Sequence, residues 1–398
     1  MARARRASSL TRALLPLAFV ALGACRQTVI LDPAAGLDGG AGAGAPLVDA
    51  ADGRDGASGS GGAGGSGGSG GNAGFGGFGG RDGGRSDSGV CFGGPLQPIG
   101  FTLRAPDLVL AVDRSAPMQT WFGSGTRLQV IQQAVLELIL KYQVAVRFGY
   151  AEFPGAGGMC NNGLGCCAGD VTAPTSMSLA AIQHVINDCD NGNGNGCVLG
   201  QRPLADALTK IEKAYSYLNV SGRSRYAIVL TGGDPTCGGG SATGPDGGNV
   251  SSACDAAAKA VTDLSREQEV STAVVGVGDE AMGSACLDKL ALNGGLGSVG
   301  KSPVYRLALT PNDLSQALNT LVRTMAEEAC HIDVRSPVSD PSRVQLYIGN
   351  ATVPVDGVDG WSFDPGTTTK LTVHGSWCDK LIQQSRNGIE LLSGCPRP

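Results

Sequence analysis

Histidine is scarce in this 398-residue chain: His184, His331 and His374 are the only three, too dispersed to read as one site. That removes the commonest metal ligand and general base from most catalytic schemes. Cys160, Cys166 and Cys167 lack the paired Cys-x-x-Cys spacing of a zinc site. No internal repeat is present. Beyond the N-terminus no apolar run is long enough to cross a bilayer as a helix. Positive charge is not in excess either. The net charge is −5, which argues against nucleic acid as a partner. Gly64-Gly65-Ser66-Gly67-Gly68 matches a nucleophile-elbow pattern, but without a strand-turn-helix context it is explained by composition. Asp188 to Gly194 starts like a calcium loop, yet no Glu follows at the twelfth position. These absences predict a protein that is not an enzyme and takes no cofactor and no metal.

What is present begins at the N-terminus. Arg3, Arg5, Arg6 and Arg12 precede a short apolar run, Leu14 to Leu22, broken by Pro16. It is too short to span a membrane and suits a secretory signal. The run ends in Leu22-Gly23-Ala24-Cys25, which resembles the lipobox of bacterial lipoproteins. The resemblance implies a signal peptide over 1–24 and a mature protein that starts at Cys25, acylated by fatty chains such as palmitate. Two or more chains hold a protein firmly, so membrane attachment would rest on lipid alone. In such lipoproteins an Asp after the cysteine favours the inner membrane. Arg26 stands there instead, which leans toward the outer membrane of a bacterial cell envelope.

Much of the chain's 64 glycines fall between 25 and 90. Ser58 to Gly80 is nearly pure Gly, Ser, Ala and Asn, with Phe75 and Phe78 scattered in it. Nothing there can be buried to offset the entropy of ordering, so a disordered tether is expected. As a coil of ~60 residues it reaches roughly 40–45 Å.

From Cys91 to Cys330 strand and helix patterns alternate. Leu108 to Val112 is a continuous apolar strand ending at Asp113, and Leu128, Ile131, Val135 and Leu138 line one face of a helix over 126–142. Strands follow at 144–153, 226–231, 270–277 and 304–307, with helices at 179–186, 203–218, 251–267 and 287–292. Thr310 caps a last helix with Pro311 in its first turn. This alternation predicts an α/β fold: a doubly wound, mainly parallel sheet with helices on both faces. Residues 331–398 read instead as a small β unit, with strands at 344–348, 351–355, 370–373 and 389–392 and Trp361 and Trp377 in its core.

In a doubly wound sheet, ligands bind beyond the carboxyl ends of the strands. Three motifs fall there: Asp113-Arg114-Ser115-Ala116-Pro117-Met118, Gly200-Gln201-Arg202-Pro203-Leu204, and Leu230-Thr231-Gly232-Gly233-Asp234. In order and spacing they resemble the von Willebrand factor type A domain, over about 106–330. In that family these loops hold a divalent cation, and oxygen ligands suit Mg²⁺, Mn²⁺ or Ca²⁺. Carried over by position, the chain keeps Asp113 and Ser115. It has Pro117 where a second Ser belongs, Arg202 where a Thr belongs, and Gly232 where an Asp belongs. The resemblance therefore implies a degenerate adhesion site of Asp113, Ser115, Arg202, Thr231 and Asp234. Either Arg202 replaces the cation, pairs with Asp113 and takes a partner's carboxylate, or it points into solvent in a decayed site. Asp234 is a candidate to compensate for Gly232. Trp121, beside the first motif, either contacts a ligand or packs.

With Cys25 lipidated, twelve cysteines remain, an even number that reads as a disulfide set in an exported chain. Proximity predicts Cys237–Cys254, Cys378–Cys395 and Cys189–Cys197, with Cys91–Cys330 tying the domain's ends. Cys160, Cys166, Cys167 and Cys286 then share two bridges in an open order, without a strained Cys166–Cys167 pair. The expected function is a lipid-tethered extracytoplasmic binding module for a protein or cell-envelope partner. The alternative is a structural part of an envelope assembly, contacting partners through the C-terminal β unit or the far face of the sheet.

Overall fold

The computed structural model describes residues 96–155, 166–188, 200–218, 222–237, 250–383 and 388–394. The expected signal peptide, Cys25, the Gly-rich tether, Cys91, the Cys189–Cys197 pair and Cys395 lie outside them.

Two short strands, β1 (Gln97–Pro98) and β2 (Phe101–Leu103), lead into β3 (Asp107–Asp113). A small ribbon of β4 (Trp121–Phe122) and β5 (Gly125–Thr126) precedes α1 (Arg127–Tyr142). Then come β6 (Arg147–Phe153), β7 (Val171–Thr175), α2 (Leu179–Asp188), α3 (Leu204–Tyr217) and β8 (Arg225–Thr231). The domain is completed by α4 (Val250–Gln268), β9 (Val270–Val277), α5 (Ala285–Asn293), β10 (Arg306–Ala308) and α6 (Pro311–Ala326).

The central sheet has the order β10-β9-β8-β3-β6-β7. Its pairings are parallel except for β7, which runs antiparallel at one edge. All seven residues of β3 are buried, because it is a central strand covered on both faces. Leu108, Leu110 and Val112 face a core shared with α1, α2 and α6, whereas Val109 and Ala111 face α3, α4 and α5. The sheet is thus doubly wound, as the alternating pattern predicts. Local chemistry sets the helix starts. Thr126 accepts a hydrogen bond from Gln129 N–H, and the Gln129 side chain accepts one from Thr126 N–H. Thr310 and Asp313 form the same reciprocal cap at α6.

The remaining strands are β11 (His331–Val334), β12 (Val344–Ile348), β13 (Ala351–Val353), β14 (Trp361–Phe363), β15 (Lys370–Val373) and β16 (Ile389–Ser393). They form two four-stranded antiparallel sheets, β1-β16-β12-β13 and β14-β15-β11-β2. The span 91–330 expected for the doubly wound domain includes 97–103, but strand pairing puts those residues in the second unit. The larger domain is therefore inserted between β2 and β11. The two share a continuous core: Trp361, Leu371 and Leu381 belong to the cluster that includes Ile131 and Leu318. Trp361 is fully buried and Trp377 packs against that cluster. The unit is not purely β. A helix, α7 (Gly375–Gln383), lies between β15 and β16. Its cap comes from a distant residue: Asp359 accepts from Ser376 N–H at 2.7 Å and from Ser376 O–H at 2.8 Å. Gly375 enters the helix at φ +60°, a conformation that favours glycine.

The disulfides differ from the expected set. Cys166 pairs with Cys237, Cys254 with Cys286, and Cys330 with Cys378. This overturns Cys237–Cys254, Cys378–Cys395 and Cys91–Cys330. The reason is spatial: Cys254 and Cys286 sit near the starts of α4 and α5, which pack together, and Cys330 sits on the turn that packs against α7. Cys166 and Cys237 come from loops that meet at the carboxyl edge of the sheet. As expected, Cys166 is not joined to Cys167, which is disulfide-bonded in its own right.

Candidate functional site

Strands β3, β8 and β9 deliver their following loops to one edge of the sheet, and α3 starts there. Asp113, the last residue of β3, is fully buried. Its Oδ1 accepts from Ser115 N–H at 2.8 Å. Its Oδ2 accepts from Gly232 N–H at 3.0 Å and lies 3.0 Å from the Thr231 hydroxyl. That hydroxyl is also 2.8 Å from Gly233 O, so its single proton serves one of the two acceptors. Burial raises the Asp113 pKa above the usual carboxylate range, opposed by Ser115, the Arg202 charge and Gly232 N–H. The Ser115 hydroxyl is buried beside the carboxylate without a well-formed hydrogen bond.

Arg202 enters from the loop before α3. Its Nε lies 3.9 Å from Asp113 Oδ2, with the side chain 14% exposed. Its Nη1 donates to Asp234 O at 2.8 Å, and its backbone N–H donates to Thr236 Oγ1 at 2.7 Å. A Cβ on Gly233 would collide with Nη1, so glycine is what lets the guanidinium lie on this loop. Arg202 is thus turned inward, beside Asp113, and committed to the protein's own groups.

The other expected members sit differently. The Asp234 carboxylate is hydrogen-bonded by the Ser284 hydroxyl, away from Asp113, so it does not compensate for Gly232. Space at Gly232 is taken by Met118, whose Sδ would lie 2.7 Å from a Cβ there. Pro117 presents its carbonyl to Arg127 Nη1 at 3.4 Å. Trp121 does not pack; it is 70% exposed. The set does not fit a divalent cation. Both Asp113 oxygens are engaged, and a positive charge stands 3.9 Å away. Opposite unit charges at that range attract by about 4 kcal/mol at intermediate dielectric, so the guanidinium already occupies the carboxylate that a cation would need. Among the described residues no group of three His, Cys, Asp or Glu is placed to hold a metal.

Two buried arginines of this edge were given no role by the motifs, although Arg114 lies inside the first of them. Arg127, with a side chain 3% exposed, pairs through Nη2 with Asp279 at 2.5 Å and through Nη1 with Glu280 at 3.0 Å. It clamps the loop after β9 to the loop after β3. Arg114 pairs with Glu152, which also accepts from Tyr150 O–H at 3.0 Å. Burial raises the Glu152 pKa, opposed by the Arg114 charge and the Tyr150 hydrogen bond. Neither pairing carried a sequence signal, since Glu152, Asp279 and Glu280 lie far along the chain. A second support runs beside α3. Asp206 accepts from Ala168 N–H at 2.7 Å and Lys210 donates to Ala168 O at 2.7 Å. With the Cys166–Cys237 bridge, these contacts fix the loops flanking Arg202.

No known family model and no curated protein matches the sequence. Solved structures do. The pilus adhesin SpaC from Lactobacillus rhamnosus GG, in its open conformation, aligns at 14% identity and TM-score 0.42 over 74% of this chain and 39% of that one. Manganese-loaded TRAP from Plasmodium vivax aligns at 14% identity and TM-score 0.39, over 69% of this chain and 94% of its own. The SpRpn10 VWA domain aligns at 12% identity and TM-score 0.36, over 55% and 95%. The chain spans about two-fifths of the length of the adhesin it matches.

Proposed function

We propose that this chain is a binding module of the bacterial cell envelope, anchored through Cys25 and a Gly-rich tether. The loops around Asp113 and Arg202 meet a protein or envelope partner without a divalent metal. The observation that carries the reading is the guanidinium of Arg202, 3.9 Å from the buried Asp113 carboxylate. It supplies in covalent form the positive charge that a metal-bearing site would borrow. The disulfides Cys166–Cys237, Cys254–Cys286 and Cys330–Cys378 fit an exported protein. The second unit carries exposed Val355 and Val358, 74% and 81% accessible. They favour, as a second reading, a structural role through that unit.

Pull-down from envelope extracts with and without chelator tests the first reading. Capture should persist in chelator and fall with Arg202→Glu. Capture that survives Arg202→Glu but is lost on Val358→Asp moves the interface to the second unit. Mass spectrometry of the mature N-terminus should show an acylated Cys25, and an unmodified start elsewhere removes the anchor.

A further inference from the structure

The charged side chains of the carboxyl-edge loops are sorted by sign. Arg114, Arg127 and Arg202 face inward, with side chains 2%, 3% and 14% exposed. Among the described residues those that reach solvent are acidic: Asp170 is exposed, the Asp279 side chain is 80% accessible and that of Glu280 46%. Apolar side chains stand among them. Trp121 is 70% exposed, Met282 55% and Leu309 45%.

Asp170 precedes β7 at the far end of the sheet, whereas Trp121, Asp279, Glu280, Met282 and Leu309 lie on adjoining loops. A Cβ on Gly123 would lie 2.6 Å from Pro311 Cγ, so the Trp121 ribbon abuts the start of α6 beside Leu309. Gly278 N–H donates to Ala308 O at 2.8 Å, joining the loop after β9 to the same place. Arg127, directly after the ribbon, holds Asp279 and Glu280. The loop with Met282 also reaches Arg202. A Cβ on Gly233, which would collide with Arg202, would lie 3.6 Å from Glu280 O.

We propose that this rim receives a basic and apolar segment of a partner protein. A Lys or Arg lies over the Trp121 ring between the Asp279 and Glu280 carboxylates, and a neighbouring aliphatic side chain covers Met282 and Leu309. The inference rests on the binding-face reading above and names the partner's chemistry. Charge complementarity selects the occupant. The inward arginines are spent on Asp113, Glu152, Asp279 and Glu280, so among the described residues the exposed charges that would meet an approaching carboxylate are acidic. Asp279 keeps most of its carboxylate in solvent while it holds Arg127, so it can face a second cation. An exposed Trp is the preferred face for such a cation and a frequent energetic anchor of interfaces. The selectivity is thus opposite to that of a metal-bearing site, which takes a carboxylate.

The test is selection of a displayed random decapeptide library on the full chain, with the Trp121→Ser protein as counter-target. Enriched peptides should combine Lys or Arg with Leu, Ile, Phe or Met and weaken as salt rises. Trp121→Ser and Asp279→Asn should each lower affinity about tenfold, and Trp121→Phe should retain most of it. Trp121 is exposed and Glu280 still holds Arg127 in the Asp279 variant, so the fold is not at stake. Enrichment of acidic or uncharged peptides, no enrichment over the counter-target, or equal affinity for Trp121→Ser overturns the inference. If selected peptides ignore Trp121→Ser but are lost on Arg202→Glu, the binding-face reading stands and this inference alone falls. If they ignore both, both fall.

Discussion

Replacing Asp107 with Asn should stabilise the protein at neutral pH and do little in acid. Asp107 starts β3 at the amino edge of the sheet, with 1% of its surface exposed. Neither carboxylate oxygen has a hydrogen bond. Arg147 Nε lies 3.4 Å from Oδ1, near enough for attraction. Burial nevertheless dominates and pushes the pKa from 3.8 to about 6, with Arg147 and Arg225 only partly opposing it. The folded state therefore holds its proton to higher pH than the unfolded chain. Between about 4 and 6 the native form binds more protons, so stability falls as pH rises through that window. Above it the full penalty applies. At about 1.4 kcal/mol per pKa unit, a rise of roughly two units costs about 3 kcal/mol. Asparagine keeps the shape and carries no charge. Asp107→Asn should thus gain about 3 kcal/mol at a pH near 7.5 and nearly nothing below the unfolded carboxylate pKa. Urea unfolding of both proteins at the two pH values measures the difference. A loss of stability at neutral pH, or an equal change at both, refutes the reasoning and makes the carboxylate a net contributor through Arg147.

Arg202→Ala should destabilise by about 1–3 kcal/mol: Asp113 keeps backbone hydrogen bonds but loses the guanidinium 3.9 Å away, and an unchanged thermal midpoint would leave the site a decayed remnant. Rebuilding a metal site with Pro117→Ser, Arg202→Thr and Gly232→Asp should fail until Met118 is also shortened, because its Sδ would lie 2.7 Å from the new Cβ. Calorimetry with Mn²⁺ should then show binding only in the fourfold variant, whereas Arg202→Thr alone should bind nothing. Removing Cys254 and Cys286 together should cost about 3–4 kcal/mol in the chain-entropy model, given their separation of 32 residues. Peptide mapping without reductant should recover Cys254–Cys286 and Cys166–Cys237, and finding Cys237 joined to Cys254 would contradict the fold's loop geometry.

The doubly wound core was legible because its signals are local. Val270–Val277, rich in Val and Ala and bounded by Glu269 and Gly278, coincides with β9, and Thr310-Pro311 caps α6 within its own first turn. The elements that were missed depend on partners elsewhere. β7 is a short edge strand of mostly half-buried residues, and Pro174 interrupts its Val and Thr residues, so no apolar run marks it. α7 takes its cap from Asp359, outside its own neighbourhood in sequence. β11 and β14 are too short to show a period. At the site, Asp113 and Arg202 could be found because motif spacing marks them. Arg127 looks like an ordinary first residue of a helix, and only the fold brings Asp279 and Glu280 to it. Cysteine pairing failed for the same reason: closeness along the chain gave no information on which helices pack.

The pairing of β2 with β11 has a further consequence. Leu103 stands opposite Ile332, and Arg104 N–H donates to His331 O at 3.1 Å, the geometry of a β-hairpin closing on its turn. The turn of that hairpin is an entire α/β domain. Its entry and exit therefore sit side by side, like the two pins of a plug-in cartridge. A domain exchanged at this socket would also have to cover the shared core at Trp361, Leu371 and Leu381 and supply a partner for Cys378.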